Sequence, residues 1–313
     1  MVNCKISVAI ASYNGGEYLK DQLESIYAQS LLPDEIVICD DCSVDNTIDI
    51  LVHYKEKHGL KYFINDKNLG FVKNFEKAIS LCSGEYIALS DQDDVWMSGK
   101  IEALYNGMVT EENKNPDLPI LVHHDVFVVD ENLKNTRTRF INSKGSSSGL
   151  KNLLFGNPKV QGASIMMNRA LKEICFPLPD SVPLHDLYIS FVTECFGVRR
   201  YISEPLSLYR QHTNNQIGIN SFSVLKRVRN YFKKQIVIAD ESEKITLLIF
   251  ENKFKEKLCD SDKEIIRDYF QVVDKEISLT FKISKVLKNG FNSNGSVFKL
   301  ILKIANSNSK RMV

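Results

Sequence analysis

A chain of 313 residues with 43% hydrophobic and 25% charged side chains can bury a full core, and has length for one large domain with an appendage, or for two domains. Its 40 Lys and Arg against 39 Asp and Glu leave a formal net charge of +1, which excludes the strongly basic class of nucleic-acid binders. Seven cysteines, an odd number with no disulfide-like framework, exclude a disulfide scaffold and fit a reducing compartment.

Residues 4–12 are almost continuously apolar, as expected of a strand buried on both faces of a parallel sheet. Tyr13-Asn14-Gly15-Gly16 breaks it, and Tyr18, Leu19, Leu23, Ile26 and Tyr27 then recur at helical spacing. Glu35 to Cys39 is a second strand ending in Asp40-Asp41, with a helix expected over Ser43 to His53. Cys39 and Cys42 form a C-x-x-C whose plainer reading is one buried and one turn cysteine, because a lone pair cannot complete a zinc site. Leu60 to Ile64 is a third strand, and Phe71 to Leu81 a helix. Strands alternating with helices predict βαβ units whose ligands sit at the carboxyl ends of the strands. Neither G-x-G-x-x-G nor G-x-x-x-x-G-K-[ST] follows the first strand, which disfavours a dinucleotide or P-loop site.

The fourth strand, Tyr86 to Ser90, runs straight into Asp91-Gln92-Asp93-Asp94-Val95-Trp96. Carboxylates this crowded at a strand end repel one another and lose hydration. A hard divalent cation, Mg²⁺ or Mn²⁺, offsets that and keeps positions open for phosphate oxygens. The alternative is a solvated acidic turn with Asp94 as N-cap of the next helix.

Ser7 to Asn14, Ile36 to Thr47 with its Asp40-Asp41, Asn68-Leu69-Gly70 and Asp91-Gln92-Asp93-Asp94, in this order and spacing, resemble family 2 glycosyltransferases of the GT-A fold. Asp-Gln-Asp-Asp-Val-Trp is similar to the rhamnosyltransferase-like branch, and the resemblance spans residues 4–218. It implies an α/β domain with a mostly parallel central sheet and helices on both faces, followed by a helical C-terminal region at 219–313. It also implies donor contacts from Ser12, Tyr13, Asn14, Asn68 and Gln92, with Asp41, or its neighbour Asp40, accepting the N–H of a uracil or thymine ring. Asp91 falls where the family contacts ribose or metal; Asp93 resembles the metal-binding acid of D-x-D, with Asp94 as rival under a shifted register. Trp96, the only tryptophan, either walls the sugar pocket or packs.

Further on, Ile101, Leu104, Tyr105 and Met108 predict a helix, and Ile120 to Asp130 a strand with a polar break. There His124-Asp125 either touches the donor sugar, as the resemblance implies, or forms a satisfied core pair. Residues 142–149 read as a lid loop or a surface linker. The stretch Asn157 to Met167 resembles the family's acceptor-side strand, where Gly162 lets backbone approach a sugar. At His185-Asp186 many relatives carry Glu-Asp, and the branch's His-Asp carries the general-base role to Asp186; a plain acid at a helix N-terminus is the alternative. Leu208 to Gly218 resembles the branch's closing motif, in which Arg210 and His212 reach diphosphate or metal.

Residues 216–313 hold 19 Lys and Arg against 11 Asp and Glu, whereas residues 1–215 hold 21 against 28. A basic amphipathic helix over 222–239 and an apolar-basic segment at Val297 to Ile304 predict contact with anionic lipid, a second subunit or the catalytic domain. With no leader at Met1 to Lys5 and no apolar run of about 18 residues, a cytoplasmic protein is expected, peripheral to the inner face of a bacterial membrane. The function these residues imply is inverting, metal-dependent transfer from a dTDP- or UDP-sugar to a polysaccharide or lipid-linked oligosaccharide. A nucleotidyltransferase and a non-catalytic carbohydrate-binding scaffold on the same fold are the alternatives. Asn14-Gly15-Gly16-Glu17 lacks the basic loop of the first, and the intact acids disfavour the second.

Overall fold

The computed structural model describes residues 5–140, 148–155, 160–212, 238–293 and 295–309. By its internal contacts the chain forms two compact units, the first Met1–Ile141 with Val160–Arg210 and the second Asn142–Lys159 with Gln211–Val313.

In the first unit, strands β1 (Ile6–Ser12), β2 (Glu35–Asp40), β3 (Lys61–Ile64) and β4 (Tyr86–Ser90) pair in parallel in the order β3-β2-β1-β4. Beyond β4 the sheet continues with β8 (Ile165–Asn168), β6 (Ile120–Asp130), β9 (Val198–Gln211) and β5 (Val95–Trp96), while β7 (Asn135–Arg139) pairs with β6. The β4–β8, β6–β8, β6–β7 and β5–β9 pairs are antiparallel, in contrast to the parallel pairs among β1 to β4.

Helices α1 (Leu19–Tyr27), α2 (Thr47–His58) and α4 (Lys100–Lys114) bury Leu19, Leu23, Ile26, Leu51, Tyr54, Ile101, Leu104 and Met108 with Val8, Ile10, Ile36 and Ile38 in one core. Each such side chain contributes roughly 1.5–3 kcal/mol on burial. Successive strand residues point to opposite faces, and α3 (Phe71–Leu81) packs on β1 and β2 through buried Phe75, Ala78 and Ile79. Helix α2 starts at Thr47 rather than at the expected Ser43. The Ser43 amide is taken by Asp40 Oδ2 at 2.8 Å and the Val44 amide by Asn14 Oδ1 at 2.9 Å, which holds those residues in a turn. Helices α5 (Arg169–Cys175) and α6 (His185–Phe196) complete this unit.

The second unit holds α7 (Glu241–Phe254), α8 (Asp260–Val273), α9 (Leu279–Asn289) and α10 (Val297–Ser309). Asp240 and Ser278 cap α7 and α9 by accepting the Ser242 and Phe281 amides, worth about 1 kcal/mol each. Residues 142–159, expected within the catalytic domain, belong to this unit through Phe155. Its ring lies 4.9 Å from Tyr269 and 5.0 Å from Phe291, its N–H donates to Glu243 Oε1 at 3.1 Å, and its C=O accepts from Ser293 Oγ at 3.3 Å. Helix α10 is the expected apolar-basic segment; it buries Leu300 and Ile304 and exposes Phe298 and Leu302. No helix among the described residues is long and apolar enough to cross a membrane. The loop expectation at 142–147, residues 157–159, the end of the closing motif at 213–218 and the basic helix up to residue 237 lie outside the described residues.

Candidate active site

The carboxyl ends of β1, β2 and β4 meet in one polar region. At the end of β1, Tyr13 N–H donates to Gln92 Oε1 at 2.8 Å and Gln92 Nε2 donates to Tyr13 C=O at 3.0 Å. Gln92, expected to touch the donor, therefore clasps the ends of β1 and β4 together, and the Tyr13 side chain stays 44% exposed. Asn14, also a donor expectation, is held in the left-handed region (φ 48°) by donating to Ser43 Oγ and accepting from Val44.

At the end of β2, Asp40 is fully buried; Oδ1 accepts from Ser12 Oγ at 2.8 Å and Ser43 Oγ at 2.6 Å, and Oδ2 accepts from the Ser43 amide. Asp40 and Ser12 are thus engaged with each other and the turn. Asp41 accepts from Asn65 Nδ2 and the Leu69 amide at 2.7 Å, and from the Gly70 amide at 2.9 Å. A carboxylate has about four acceptor positions, so one is left beside the loop that Asp41 organises. Asn68 tightens that loop by donating to Asp41 C=O and accepting from Gly70 N–H. Asn74, not singled out in the sequence, joins the same web by donating to Ser12 C=O and Cys39 C=O. Gly70 sits at φ 79° and ψ 156°, a region other residues enter at a cost of about 1–3 kcal/mol. Gly70→Ala is therefore expected to lower the melting temperature measurably by calorimetry, although a Cβ there would touch nothing within 4 Å.

The C-x-x-C carries no redox pair here. Cys39 is buried, with its thiol pushed up to about 11 by burial, and Cys42 Sγ donates to Asn65 C=O at 2.9 Å. Among the described residues no two cysteines form a disulfide.

After β4, the acids divide by surroundings. Asp94 is fully buried, its Oδ1 accepting the Arg210 amide at 3.3 Å, so it is no solvated N-cap; Gly99 caps α4. Asp93 is 9% exposed and Asp91 keeps a partly accessible face. Burial, then the charges of Asp93 and Asp186, push the Asp91 carboxyl up to about 7. Burial and the charges of Asp91 and Asp93 hold Asp94 well above the ordinary carboxylate range. Asp91 thus feels the charge of Asp186, which lies much further along the chain, as well as that of its neighbour Asp93.

Asp186 lies in the first turn of α6, where a carboxylate is favoured. Its Oδ1 accepts the Leu187 amide at 2.7 Å, which orients it. Beside it, His185 is buried, with its ring 4.9 Å from Phe75 and 5.2 Å from Phe71, and neither ring nitrogen has a hydrogen-bond partner among the described residues. Burial holds its pKa below the usual value, against the opposing charge of Asp186. Gly162 packs closely on this pair: a Cβ there would lie 3.3 Å from His185 Nε2 and 3.6 Å from Asp186 Cβ.

Other expected site residues are placed differently. Arg210, expected on the diphosphate, donates Nε to Asp93 C=O at 2.8 Å, one terminal nitrogen to Glu131 C=O at 2.8 Å and the other to Asp21 at 3.0 Å, over the Tyr18 ring. Three of its five N–H donors are thereby engaged by protein oxygens, so it clamps the acid loop. Trp96 is packed in the core with one face covered by Lys100, so it is no open wall of a sugar pocket. Asp125 is buried and ion-paired to Arg139 at 3.2 Å, and buried His124 places Nδ1 2.6 Å from Asp125 C=O while its Nε2 has no hydrogen-bond partner among the described residues. His212 falls in the second unit, and the site described here is built without it.

Lys100 was given no part by sequence reasoning. It is fully buried at the start of α4, its Nζ 2.8 Å from Ala163 C=O and 3.7 Å from the Trp96 ring centroid. It stands in line with Leu104 and Met108 on the apolar stripe of that helix, the one sequence signal of its burial.

A profile of the family described as "Glycosyl transferase family 2" matches residues 7–174. The chain belongs to glycosyl transferase family 2. This glycosyltransferase is 28% identical over 260 residues to the dTDP-rhamnosyl transferase RfbG of Shigella flexneri, covering 74% of this chain and 86% of that protein. Among solved structures, S. aureus TarS 1-349 in complex with UDP superposes with a TM-score of 0.55 at 17% identity, over 97% of this chain and 89% of that one. The mannosyltransferase PcManGT from Pyrobaculum calidifontis, in complex with GDP-Man and Mn²⁺, superposes at 0.54 with 14% identity, over 100% of this chain and 89% of that one. The glycosyltransferase thus has the GT-A fold and is rhamnosyltransferase-like in sequence.

Asp91, Asp93 and Asp94 carry hard carboxylate oxygens of the type that divalent cations take, and burial with mutual charge pushes Asp91 and Asp94 up from the ordinary carboxylate range. Among the described residues no three His, Cys, Asp or Glu side chains are placed to hold a metal ion by themselves.

Proposed function

We propose that this glycosyltransferase moves a sugar, with inversion, from a pyrimidine nucleoside diphosphate donor to an acceptor hydroxyl. The observation that carries this reading is that the Gly162–Ser164 turn, against which Asp186 packs, is tied by Ala163 C=O to Lys100 just after the acidic loop, with the charge of Asp186 acting on Asp91. It puts one carboxylate near the acids that suit a cation and a diphosphate.

Tyr13, exposed at the end of β1, supplies a ring for the base to stack on. The remaining acceptor position of Asp41 meets the pyrimidine N–H, and Asp91 meets ribose or metal. Asp93 holds Mg²⁺ or Mn²⁺; when bound, such an ion offsets charge on the departing nucleoside diphosphate. Asp186 takes the proton of the acceptor hydroxyl, whose oxygen attacks the anomeric carbon from the face opposite the diphosphate. The leaving group departs without protonation, so one base suffices. The buried His185 ring beside Asp186, whose nitrogens have no hydrogen-bond partner among the described residues, offers a hydrogen bond to the acceptor sugar.

Similarity to RfbG supports dTDP-rhamnose as donor, and UDP-sugars fit the same acid because uracil and thymine present the same N–H. The acceptor in this reading is a polysaccharide or lipid-linked oligosaccharide at the inner face of a bacterial membrane, with the C-terminal unit as the part that meets the membrane or a second subunit. A thermal-shift screen of dTDP, UDP and GDP, each with and without Mn²⁺, tests it. Stabilisation of about 2.7 kcal/mol is expected at a hundredfold excess over Kd, for a pyrimidine diphosphate and only with the ion. A preference for GDP, or equal shifts without Mn²⁺, would overturn the donor assignment.

A further inference from the structure

We propose that Asn65 and Lys77 are positioning residues that fix the one acceptor position Asp41 presents to the nucleobase, so that the site selects a pyrimidine bearing a ring N–H over cytosine. The inference rests on the function proposed above, which places the base at Asp41.

The polarity of the hydrogen-bond web around Asp41 follows from its ends. A lysine ammonium only donates, and an ionised carboxylate only accepts. Lys77 Nζ donates to Asn65 Oδ1 at 2.7 Å. That turns Asn65 Nδ2 the other way, onto Asp41 Oδ1 at 2.7 Å and Asn74 Oδ1 at 2.9 Å. Asn74 is oriented independently. Its Nδ2 donates to Ser12 C=O at 3.2 Å and Cys39 C=O at 2.8 Å, so its oxygen is the atom that faces Asn65. The backbone of Asn65 is pinned as well: its N–H donates to Asp40 C=O at 2.8 Å, and its C=O accepts from Cys42 Sγ at 2.9 Å. Asn65 and Asn74 are both buried, so water is no easy substitute for these partners. Each amide in the web therefore has one orientation.

The consequence falls on Asp41. Its Oδ1 accepts from Asn65 Nδ2 and the Leu69 amide, which fills both lone pairs; its Oδ2 accepts from the Gly70 amide and keeps one. A single position that only accepts suits the ring nitrogen of uracil or thymine, which carries a proton. Cytosine presents a lone pair at the same ring atom, and two acceptors then oppose each other. A site built to pair an N–H rejects the analogue that lacks it, because its own buried polar group is left unpaired. Lys77 and Asn74 stand three positions apart on α3, hence on one face of the helix that packs on β1 and β2. Neither Asn65 nor Lys77 touches a reacting atom in this arrangement.

Calorimetric titration of UDP and of CDP, each with Mn²⁺, into the full chain tests this. The parent chain is expected to prefer UDP by about 100-fold or more. Asn65→Asp keeps the shape of the side chain but turns an acceptor toward Asp41. One proton is then shared between the two carboxyl groups, which gives Asp41 a hydrogen to offer the cytosine lone pair. The UDP-to-CDP preference is expected to fall by about tenfold or more in this variant. Lys77→Met removes the donor that holds Asn65 Oδ1. It is expected to weaken UDP by about three- to tenfold while CDP stays near its parent value. Lys77 is only half-buried, so this second variant keeps the test open if Asn65→Asp does not fold. A role in packing alone predicts that both nucleotides weaken together and the preference stays at the parent value; that result overturns the role of Asn65 and Lys77. Unchanged UDP affinity in Lys77→Met removes Lys77 from the web. If the parent chain itself binds UDP and CDP alike, the placing of the base at Asp41 fails, a different result from a discriminating parent whose variants keep its preference.

Discussion

Asp186→Asn is expected to lower kcat by about 10²–10⁴-fold, the range for loss of a positioned general base, while nucleoside diphosphate affinity stays near that of the parent chain. The substitution is isosteric. An amide oxygen can still accept the Leu187 N–H, which Asp186 Oδ1 accepts at 2.7 Å, so the first turn of α6 and the packing of His185 on Phe75 should persist. What is lost is the basic oxygen. The measurement is steady-state transfer from a labelled donor, with calorimetric titration of the nucleotide beside it. Full activity in the Asn variant would remove Asp186 from the reaction, and parallel loss of nucleotide binding would make it a structural residue.

Asp93→Ala should have the next largest effect, a fall of about 10²–10³-fold in Mn²⁺-dependent turnover, typical of losing one electrostatic contributor to a developing anion. The fold should survive, because Arg210 grips residue 93 by its carbonyl, 2.8 Å from Nε, rather than by its carboxylate. Turnover assayed across a Mn²⁺ series distinguishes a lost ion site, where high concentration recovers part of the rate, from a collapsed loop, where it does not. Unchanged turnover at every Mn²⁺ concentration would refute the assignment.

The two readouts bear on different halves of the proposed site. Asp186 belongs to α6 and Asp93 to the loop after β4, and they share the neighbourhood of Asp91. A variant that damages one half by unfolding would damage both measurements. The selectivity of each loss is therefore as informative as its size.

Much of the first unit was legible in the chain itself. The apolar run before Tyr13, the strand closed by Asp40-Asp41 and the helical spacing of Leu19, Leu23 and Ile26 are local signals, and they correspond to β1, β2 and α1. Buried parallel strands must be apolar throughout, and helices on a sheet must repeat near 3.6, so both write themselves into sequence. The start of α2 was misplaced because side chains of Asn14 and Asp40, distant or off the helix, take the amides of Ser43 and Val44. The assignment of residues 150–155 was likewise invisible, since it rests on Phe155 meeting Tyr269, Phe291 and Glu243, more than eighty positions away.

The chain by itself determined which chemistry-bearing residues exist, the strand ends that carry Asp41 and Asp91, and the family to which they belong. Only the tertiary structure decided how each is engaged: Arg210 on protein oxygens, Gln92 on Tyr13, Asp94 on the Arg210 amide, and Lys100 on Ala163 and Trp96. The reason is the range of the forces. Backbone geometry and hydrophobic periodicity act between neighbours in sequence, whereas a buried charge takes its partner from whatever the fold brings within a few ångströms.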